Sequence, residues 1–141
     1  MSITDRFMEY AAAFEETFED DDWTRLEQYF TEDATYDGGL GEVAQGRDAV
    51  FAFMRNSVNM LDRRMDSRTL TAEPPSVEGD TLSLSWAIKY TIAGQPDLHG
   101  SGVEYARFEG DRIAELRDEY TPEAIEAFGA WLAANGTLLD S

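Results

Sequence analysis

Residues 100–120 read GSGVEYARFEGDRIAELRDEY, which is the pattern of two strands joined by a tight turn. The turn lies at Glu109-Gly110-Asp111, and Pro122 marks the start of a helix just after the second strand. Side chains in a strand alternate between the two faces of a sheet. The stretch therefore predicts a β-hairpin within an antiparallel sheet, and it also predicts which side chains point inward.

The inward face of this hairpin carries two carboxylic acids. In the alternation, Asp118 shares its face with Tyr120, and Glu104 shares its face with Phe108, while Ile113 falls on the opposite, solvated face. A carboxylate on an inward face costs free energy unless it is paired or has a function. We therefore predict that Asp118 and Glu104 are catalytic acids.

The pairing of the two strands decides how close these acids come. If the faces match, Glu104 lies opposite either Asp118 or Leu116, with Cβ atoms about 4.5–5.5 Å or about 7–8 Å from Asp118. Either separation couples the two charges, so one acid should keep its proton near neutral pH while the other acts as a base. Two structural alternatives stay open: a bulge could turn Glu104 outward, or Arg107 or Arg117 could pair with Asp118.

Composition limits the chemistry that this chain can perform. A chain of 141 residues with 43% hydrophobic residues predicts a single domain over residues 1–141. It has no cysteine and one histidine, His99, so we expect no metal site, no cofactor, and catalysis by carboxylates and tyrosines. No apolar run approaches the roughly 20 residues of a membrane helix, and no signal-peptide pattern is seen, so we expect a cytoplasmic protein without a membrane partner.

The charge of the chain is strongly acidic. Acidic residues number 29 and basic residues 11, and the formal charge of −18 would repel phosphate backbones, so nucleic acid is not an expected partner. Lys89 is the only lysine. Acid excess with scarce lysine raises the hypothesis of adaptation to a salty cytoplasm, which predicts that thermal stability rises between low salt and molar potassium chloride.

The chain changes from helical to strand periodicity near its middle. Apolar residues recur at helical spacing from Ser2 to Glu19, in a second helix from Trp23, and in a third from Arg47 to about Met65. A short strand at 34–37 precedes the glycine-rich loop 38–41, which could form the mouth or lid of a site. From Ser67 onward the pattern is that of strands, clearest at 82–92. The closing helix from Pro122 to near Gly136 should pack on the sheet through the apolar residues Ala124, Ile125, Phe128 and Leu132.

Helices on one face of a bent antiparallel sheet form an α+β layer that leaves a hollow at its open end. The predicted hollow is mainly apolar and holds the two acids. Its lining residues are Phe14, Phe18, Tyr36, Phe53, Trp86, Tyr90, Glu104, Asp118 and Tyr120. Simple core packing is the alternative for the aromatic residues, particularly Phe14 and Phe53.

These landmarks carry a resemblance to a known family. They are Asp22-Trp23, Phe30-Thr31-Glu32-Asp33-Ala34-Thr35-Tyr36, Gly46-Arg47-Asp48-Ala49-Val50, Phe108-Glu109-Gly110-Asp111-Arg112-Ile113 and Arg117-Asp118. The chain resembles the SnoaL-like branch of the NTF2-like superfamily. The resemblance implies a cone-shaped α+β barrel in which N-terminal helices pack on a strongly curved antiparallel sheet that encloses a pocket, with a C-terminal helix. Related proteins include polyketide cyclases, ketosteroid isomerases, epoxide hydrolases and non-catalytic domains.

The resemblance also implies roles for individual residues. Asp118 falls where SnoaL-like cyclases and limonene-type epoxide hydrolases place a catalytic aspartate, and Glu104 where ketosteroid isomerases place a protonated acid that stabilises an oxyanion. His99 could be a second acid/base group, as a strand histidine is in some of these cyclases. Strict alternation places His99 on the face opposite Glu104, so only an irregularity at Gly100 or Gly102 would turn it inward.

Departures from the family pattern narrow the chemistry. Gly38 stands where the isomerases have their general base, and Phe14 stands where they have a tyrosine. No acid lies in the segment 86–89, where the epoxide hydrolases have one. The resemblance therefore implies a cyclase-like site more than an isomerase or epoxide-hydrolase site.

The predicted function is binding of a small hydrophobic ligand with cofactor-independent acid/base catalysis, of cyclase or isomerase type, on a small hydrophobic carbonyl compound. The alternative is a non-catalytic domain that binds a hydrophobic ligand or mediates dimerisation. A homodimer would form through the outer sheet face, which carries the small or apolar residues Ser83, Ser85, Ala87 and Val103.

Overall fold

The structure is a computed structural model and describes residues 2–39, 41, 43–60, 65–92, 94 and 97–135. The helices are α1 (Ile3–Asp20), a 3₁₀ helix (Trp23–Tyr29), α2 (Arg47–Met60) and α3 (Pro122–Asn135). The strands are β1 (Phe30–Asp37), β2 (Val43–Gln45), β3 (Ser67–Ala72), β4 (Ser76–Glu78), β5 (Thr81–Thr91), β6 (Leu98–Glu109) and β7 (Arg112–Tyr120). The element order agrees with the predicted sequence of helices followed by strands and a final helix.

The strands form one sheet in the order β2-β1-β7-β6-β5-β3, and β4 pairs with β5. All described pairings are antiparallel except one, because β1 runs parallel to β7. The sequence did not predict this pairing. Strands so far apart in the chain are not joined by a hairpin, and so no turn sets their relative direction.

The helices pack on a curved sheet that does not close, which confirms the predicted α+β fold class. Fully buried side chains from each layer meet in the main core, among them Phe7 of α1, Leu26 of the 3₁₀ helix, Val50 of α2, Leu82 of β5 and Ile113 of β7. Burial of large apolar side chains of this kind stabilises a fold by about 1.5–3 kcal/mol each.

A β-bulge interrupts the β6–β7 hairpin close to its turn. Arg107 pairs with Glu115, whereas the next residue, Phe108, pairs with Ile113, so Ala114 is the extra residue. The bulge shifts the alternation by one, and Ile113 and Ala114 are both buried. The prediction that Ile113 lies on the solvated face is therefore wrong.

Two predicted helix ends fall at or beyond residues that the structure does not describe, and the packing of α3 differs from the prediction. The predicted end of α2 near Met65 cannot be compared, because residues 61–64 lie outside the described residues, as do Gly136 and the Leu132 side chain. In α3, Ile125 is 49% exposed, whereas Trp131 is buried against Tyr90 and Leu98.

Among the helices of the described residues, none is both long and apolar enough to cross a membrane. The cytoplasmic location stays a prediction.

Candidate functional site

Backbone pairing brings the two predicted acids together. Glu104 of β6 lies directly opposite Asp118 of β7. The bulge at Ala114 lies between the turn and this pair, and its extra residue gives the register in which Glu104 faces Asp118. The closer of the two predicted registers is therefore confirmed. Asp118 is only 7% exposed, and the Glu104 side chain is partly buried beside it.

The parallel pairing of β1 with β7 adds a tyrosine to the acid pair. Tyr36 lies beside Leu116, on the same face as Asp118. Its hydroxyl donates a hydrogen bond to Oδ2 of Asp118. The sequence predicted Tyr36 as a lining residue, but the hydrogen bond depends on a strand pairing that the sequence does not specify.

Burial and mutual repulsion determine the charge states of the two acids. Burial raises the pKa of Glu104 well above its usual range, and the charge of Asp118 and a hydrogen bond with Asp118 raise it further. Burial also raises the pKa of Asp118, although hydrogen bonds from Glu104 and Tyr36 partly offset that rise. A protonated Glu104 that donates to an Asp118 carboxylate satisfies both trends. In this arrangement the pair holds one proton, on Glu104, and Asp118 is the carboxylate that accepts the hydrogen bond.

Two tyrosines stay protonated next to these acids. Burial raises the pKa of Tyr36 well above its usual range, and the charges of Asp118 and Glu104 add to the effect. The pKa of Tyr10 on α1 is raised for the same reasons, with burial as the largest cause. Tyr10 was not predicted as a site residue, although it lies one turn before Phe14 on the inward stripe of α1. Both phenols are hydrogen-bond donors in this environment.

The arginines of the same strands lie on the other face of the sheet. Arg107 Nε donates to Glu115 Oε2 at 3.1 Å, and the Arg117 guanidinium carbon lies 4.4 Å from the ring centre of Tyr105. Both arginines occupy odd-numbered positions, whereas Asp118 faces inward. The alternative in which one of them pairs with Asp118 is not observed.

Aromatic rings and glycines surround the acid pair. The rings of Tyr36 and Phe53 meet edge to face at 5.4 Å between centres, as do those of Trp86 and Tyr120. Gly39, with a φ of +83°, lies so close that a Cβ there would be 2.5 Å from the Asp118 carbonyl oxygen. The start of the predicted glycine-rich loop therefore lies against the acid-bearing end of β7.

The structure does not place the other predicted lining residues beside Asp118. Phe14 packs against Trp23 at 6.0 Å between ring centres, and Tyr90 packs in the cluster with Trp131. Phe18 lines a separate cavity of about 410 Å³ that also contains Arg68. A second cavity, of about 510 Å³, lies among β3, β5, β6 and α3. Neither of these two cavities is lined by Asp118 or Glu104, so they are not the hollow that the sequence predicted.

His99 lies apart from the acid pair. It is exposed and pairs with Lys89 in a β5–β6 register that has no irregularity from Thr81 to Tyr90. Because the alternation is unbroken through Gly100 and Gly102, His99 stays on the face opposite Glu104. The inward turn that a catalytic His99 would require is not observed, and His99 instead lines the 510 Å³ cavity.

Comparisons with known proteins agree with this architecture. Residues 11–116 match the family described as the SnoaL-like domain. No curated protein matches the sequence. Among solved structures, an NTF2-like protein of unknown function from Burkholderia pseudomallei is similar with 18% identity and a TM-score of 0.67, over 93% of this chain and 98% of that one.

Two further solved structures show the same fold. A putative polyketide cyclase from Sinorhizobium meliloti shares 16% identity with a TM-score of 0.59, over 79% of this chain and 94% of that one. A hypothetical protein with a ketosteroid isomerase-like fold from Catenulispora acidiphila, in complex with trimethylamine, shares 19% identity with a TM-score of 0.64, over 91% and 92%. At these identities the likeness is one of fold.

Proposed function

The chain belongs to the SnoaL-like domain family and has an NTF2-like fold, and from that premise we propose that it catalyses cofactor-independent acid/base chemistry on a small hydrophobic carbonyl compound. The observation that carries the proposal is the buried Asp118 carboxyl, which meets Glu104 across the hairpin and accepts a hydrogen bond from Tyr36. A base held beside two proton donors is what enolisation of a carbonyl compound requires.

In the proposed reaction, Asp118 removes a proton from the carbon next to the substrate carbonyl. The electron pair of the broken C–H bond forms the enolate, and its oxygen accepts a hydrogen bond from the protonated Glu104 or the Tyr36 hydroxyl. The proton then returns from Asp118 to a different carbon in an isomerisation. In a cyclase-type aldol closure, the enolate carbon attacks a second carbonyl, and the resulting alkoxide takes the proton.

The environment of the pair fits these roles. Burial raises the pKa of Asp118, which makes it a stronger base than an exposed aspartate, and burial keeps Glu104 protonated by raising its pKa. Apolar and aromatic neighbours such as Phe53 and Trp86 lower the local dielectric constant, which strengthens hydrogen bonds to a developing oxyanion.

The second candidate function is non-catalytic binding of a hydrophobic ligand. It is favoured by the packing of the Tyr36–Phe53 and Trp86–Tyr120 ring pairs around the acids, and by the low exposure of Asp118. In this alternative the acids orient a ligand without transferring a proton. The homodimer through the outer sheet face also stays a prediction, in which exposed Ser85 and Ala87 would lie at the interface.

Proton exchange tests the catalytic proposal without knowledge of the natural substrate. Small hydrophobic ketones, such as phenylacetone and cyclohexanone, are incubated with the protein in D₂O, and loss of the α-proton signals is followed by NMR. The wild-type protein should accelerate exchange, and Asp118→Asn should lower the enhancement about 100-fold or more, which is the usual contribution of a general base.

The matched control is Glu119→Gln, which neutralises the adjacent, exposed acid on the other face. This variant should retain the wild-type exchange rate. Equal rates for wild type and Asp118→Asn would exclude Asp118 as the base. If the ketones bind but exchange no faster than in buffer, the binding function replaces the catalytic one.

A further inference from the structure

The floor of the 510 Å³ cavity lies on the outer face of the sheet, toward which the odd-numbered residues point. We call this cavity the outer groove. Its floor consists mainly of two cross-strand rows, each with one residue from β3, β5 and β6, and the paired residues Ile88 and Gly100 lie between these rows and also line the cavity. The rows are Thr69, Lys89, His99 and Thr71, Ala87, Ser101. One wall is the first part of α3, with Glu123, Ala124 and Ala127. The outer groove and the acid pair therefore lie on opposite faces of the same strands.

The outer groove is lined by two side chains whose residue types each occur once in this chain. The chain has a formal charge of −18, and its only lysine and its only histidine, Lys89 and His99, are direct cross-strand partners in this cavity. Directly opposite residues have Cβ atoms about 4.5–5.5 Å apart, so both nitrogens can reach one anionic group. The nearest described acid to the lysine is Asp97, whose Oδ2 lies 3.8 Å from Nζ with both side chains about half exposed. Such a loose surface pair is weak and can exchange partners.

The rest of the outer groove is apolar or carries hydroxyl groups. Ala87, Ala124 and Ala127 supply small apolar surfaces that leave room for the body of a bound molecule. Ser101 Oγ lies 3.1 Å from Thr121 Oγ1, and Thr121 Oγ1 accepts a hydrogen bond from the Ala124 amide at the start of α3. The positive end of the α3 dipole thus lies beside the floor, where it favours an anion.

Glu123 places a negative charge in the outer groove, which opposes the binding of an anion. It lies in the first turn of α3 and lines the same cavity. Its charge repels an anion from the α3 side, so an anionic group is directed to the side of Lys89 and His99.

We propose that the outer groove binds a small organic carboxylate with a short apolar body, independently of the chemistry at Asp118. The carboxylate contacts Lys89 and His99, and the apolar body lies along Ala87, Ala124 and Ala127. The apolar lining favours such a molecule over inorganic phosphate, which has no surface to bury there.

The two rare residues also make the test direct. Because His99 is the only histidine, its imidazole protons can be followed by NMR without assignment of the rest of the spectrum. The full chain is titrated with phenylacetate and, separately, with the neutral phenylacetamide. Phenylacetate should shift the His99 signals in a saturable manner, and phenylacetamide should bind at least about threefold more weakly, since it lacks the charge.

Variants separate the groove from general charge effects. Lys89→Gln should weaken phenylacetate about three- to fivefold, and Arg112→Gln, which removes one exposed charge on the hairpin turn, should not change the affinity. Glu123→Gln should tighten binding about twofold or more. Asp118→Asn should bind phenylacetate as wild type does, so that failure of the catalytic proposal and failure of this one are distinguishable.

Three outcomes would overturn the proposal. They are the absence of a saturable shift at His99, equal binding of phenylacetate and phenylacetamide, and equal loss of affinity in Lys89→Gln and Arg112→Gln. Sedimentation of the same samples adds a fourth. If the protein is a dimer that Lys89→Gln dissociates, the outer groove is an interface between copies of this chain and not a small-molecule site.

Discussion

Strands β6 and β7 carry acids on both faces of the sheet, and the two faces give these acids opposite environments. On the outer face, Glu115 is exposed to water and pairs with Arg107 at 3.1 Å. On the inner face, Glu104 meets a second acid, Asp118, which accepts a hydrogen bond from the Tyr36 phenol, and the pKa of Glu104 rises because it is buried. The same side-chain chemistry thus gives a solvated ion pair on one face of the sheet and a buried pair of carboxyl groups on the other.

This contrast teaches that alternation along a strand can separate two electrostatic environments by the thickness of a single sheet. The outer ion pair is screened by water and salt and contributes little to stability. The inner pair is poorly solvated, so each proton there is coupled to folding. Three measurements sharpen or break this contrast.

The largest expected effect concerns how closely the inner face is packed. A Cβ at Gly102 would lie 2.3 Å from the Glu119 carbonyl oxygen and 3.0 Å from the Trp86 ring, whereas a Cβ at Gly100 would meet only Ile88, at 3.4 Å. Gly102→Ala should therefore destabilise the protein by about 1–3 kcal/mol, and Gly100→Ala by less than about 0.5 kcal/mol. Denaturant unfolding of both variants measures the difference. Equal stabilities would mean that the inner face beside Trp86 is loosely packed.

The second effect is the pH dependence of stability that Glu104 contributes. Its folded pKa is raised, so the folded protein holds this proton more tightly than the unfolded chain does. The stabilisation is fully present below the ordinary pKa of 4.5 and is lost as pH rises through the raised folded pKa. Glu104→Gln cannot titrate and its amide can still donate to Asp118, so it should exceed wild-type stability by about 1 kcal/mol or more at the alkaline end.

The matched outer-face variant is Glu115→Gln, which should change the unfolding free energy by about 0.5 kcal/mol or less throughout the same pH range. Unfolding free energies from mildly acidic to mildly alkaline pH test both variants. If the unfolding free energies of Glu104→Gln and of the wild type change in parallel with pH, Glu104 titrates as an exposed acid and the contrast between the two faces is lost.

The smallest effect concerns the hydrogen bond between Tyr36 and Asp118. Because this bond lowers the pKa of Asp118, Tyr36→Phe should raise that pKa and cost about 1 kcal/mol of stability. Tyr105→Phe removes a hydroxyl from a ring on the outer face and should leave the Asp118 titration unchanged. Carboxyl ¹³C NMR titration measures both variants. An unchanged Asp118 pKa in Tyr36→Phe would place the phenol outside the acid pair.

Local rules predicted the parts of the site that lie within one hairpin. Parity along β6 and β7 limited Glu104 to a position opposite Asp118 or opposite Leu116, and the observed register is the first of these. The same parity placed His99 on the face opposite Glu104 unless an irregularity intervened, and the β5–β6 register has none. These predictions succeed because side-chain direction in a paired strand is fixed by the backbone.

Features that depend on distant pairings could not be predicted in the same way. The Tyr36 hydrogen bond requires β1 to lie parallel to β7, and nothing local in either strand specifies that partner. The bulge at Ala114 escaped detection because alanine fits either face, so the sequence gives no sign of the shift that buries Ile113. The separation of Phe18 and Tyr90 from the acids reflects tertiary packing, which periodicity does not encode.

The hairpin that turns between Glu109 and Arg112 has a further consequence for how this site can change in evolution. Both acids belong to one contiguous hairpin, so their spacing is inherited as a unit, whereas the glycine-rich segment at Gly39 and the strand that carries Tyr36 come from a distant part of the gene. Recombination or drift in that distant part can change the surroundings of the two acids while the acid pair itself is transmitted intact.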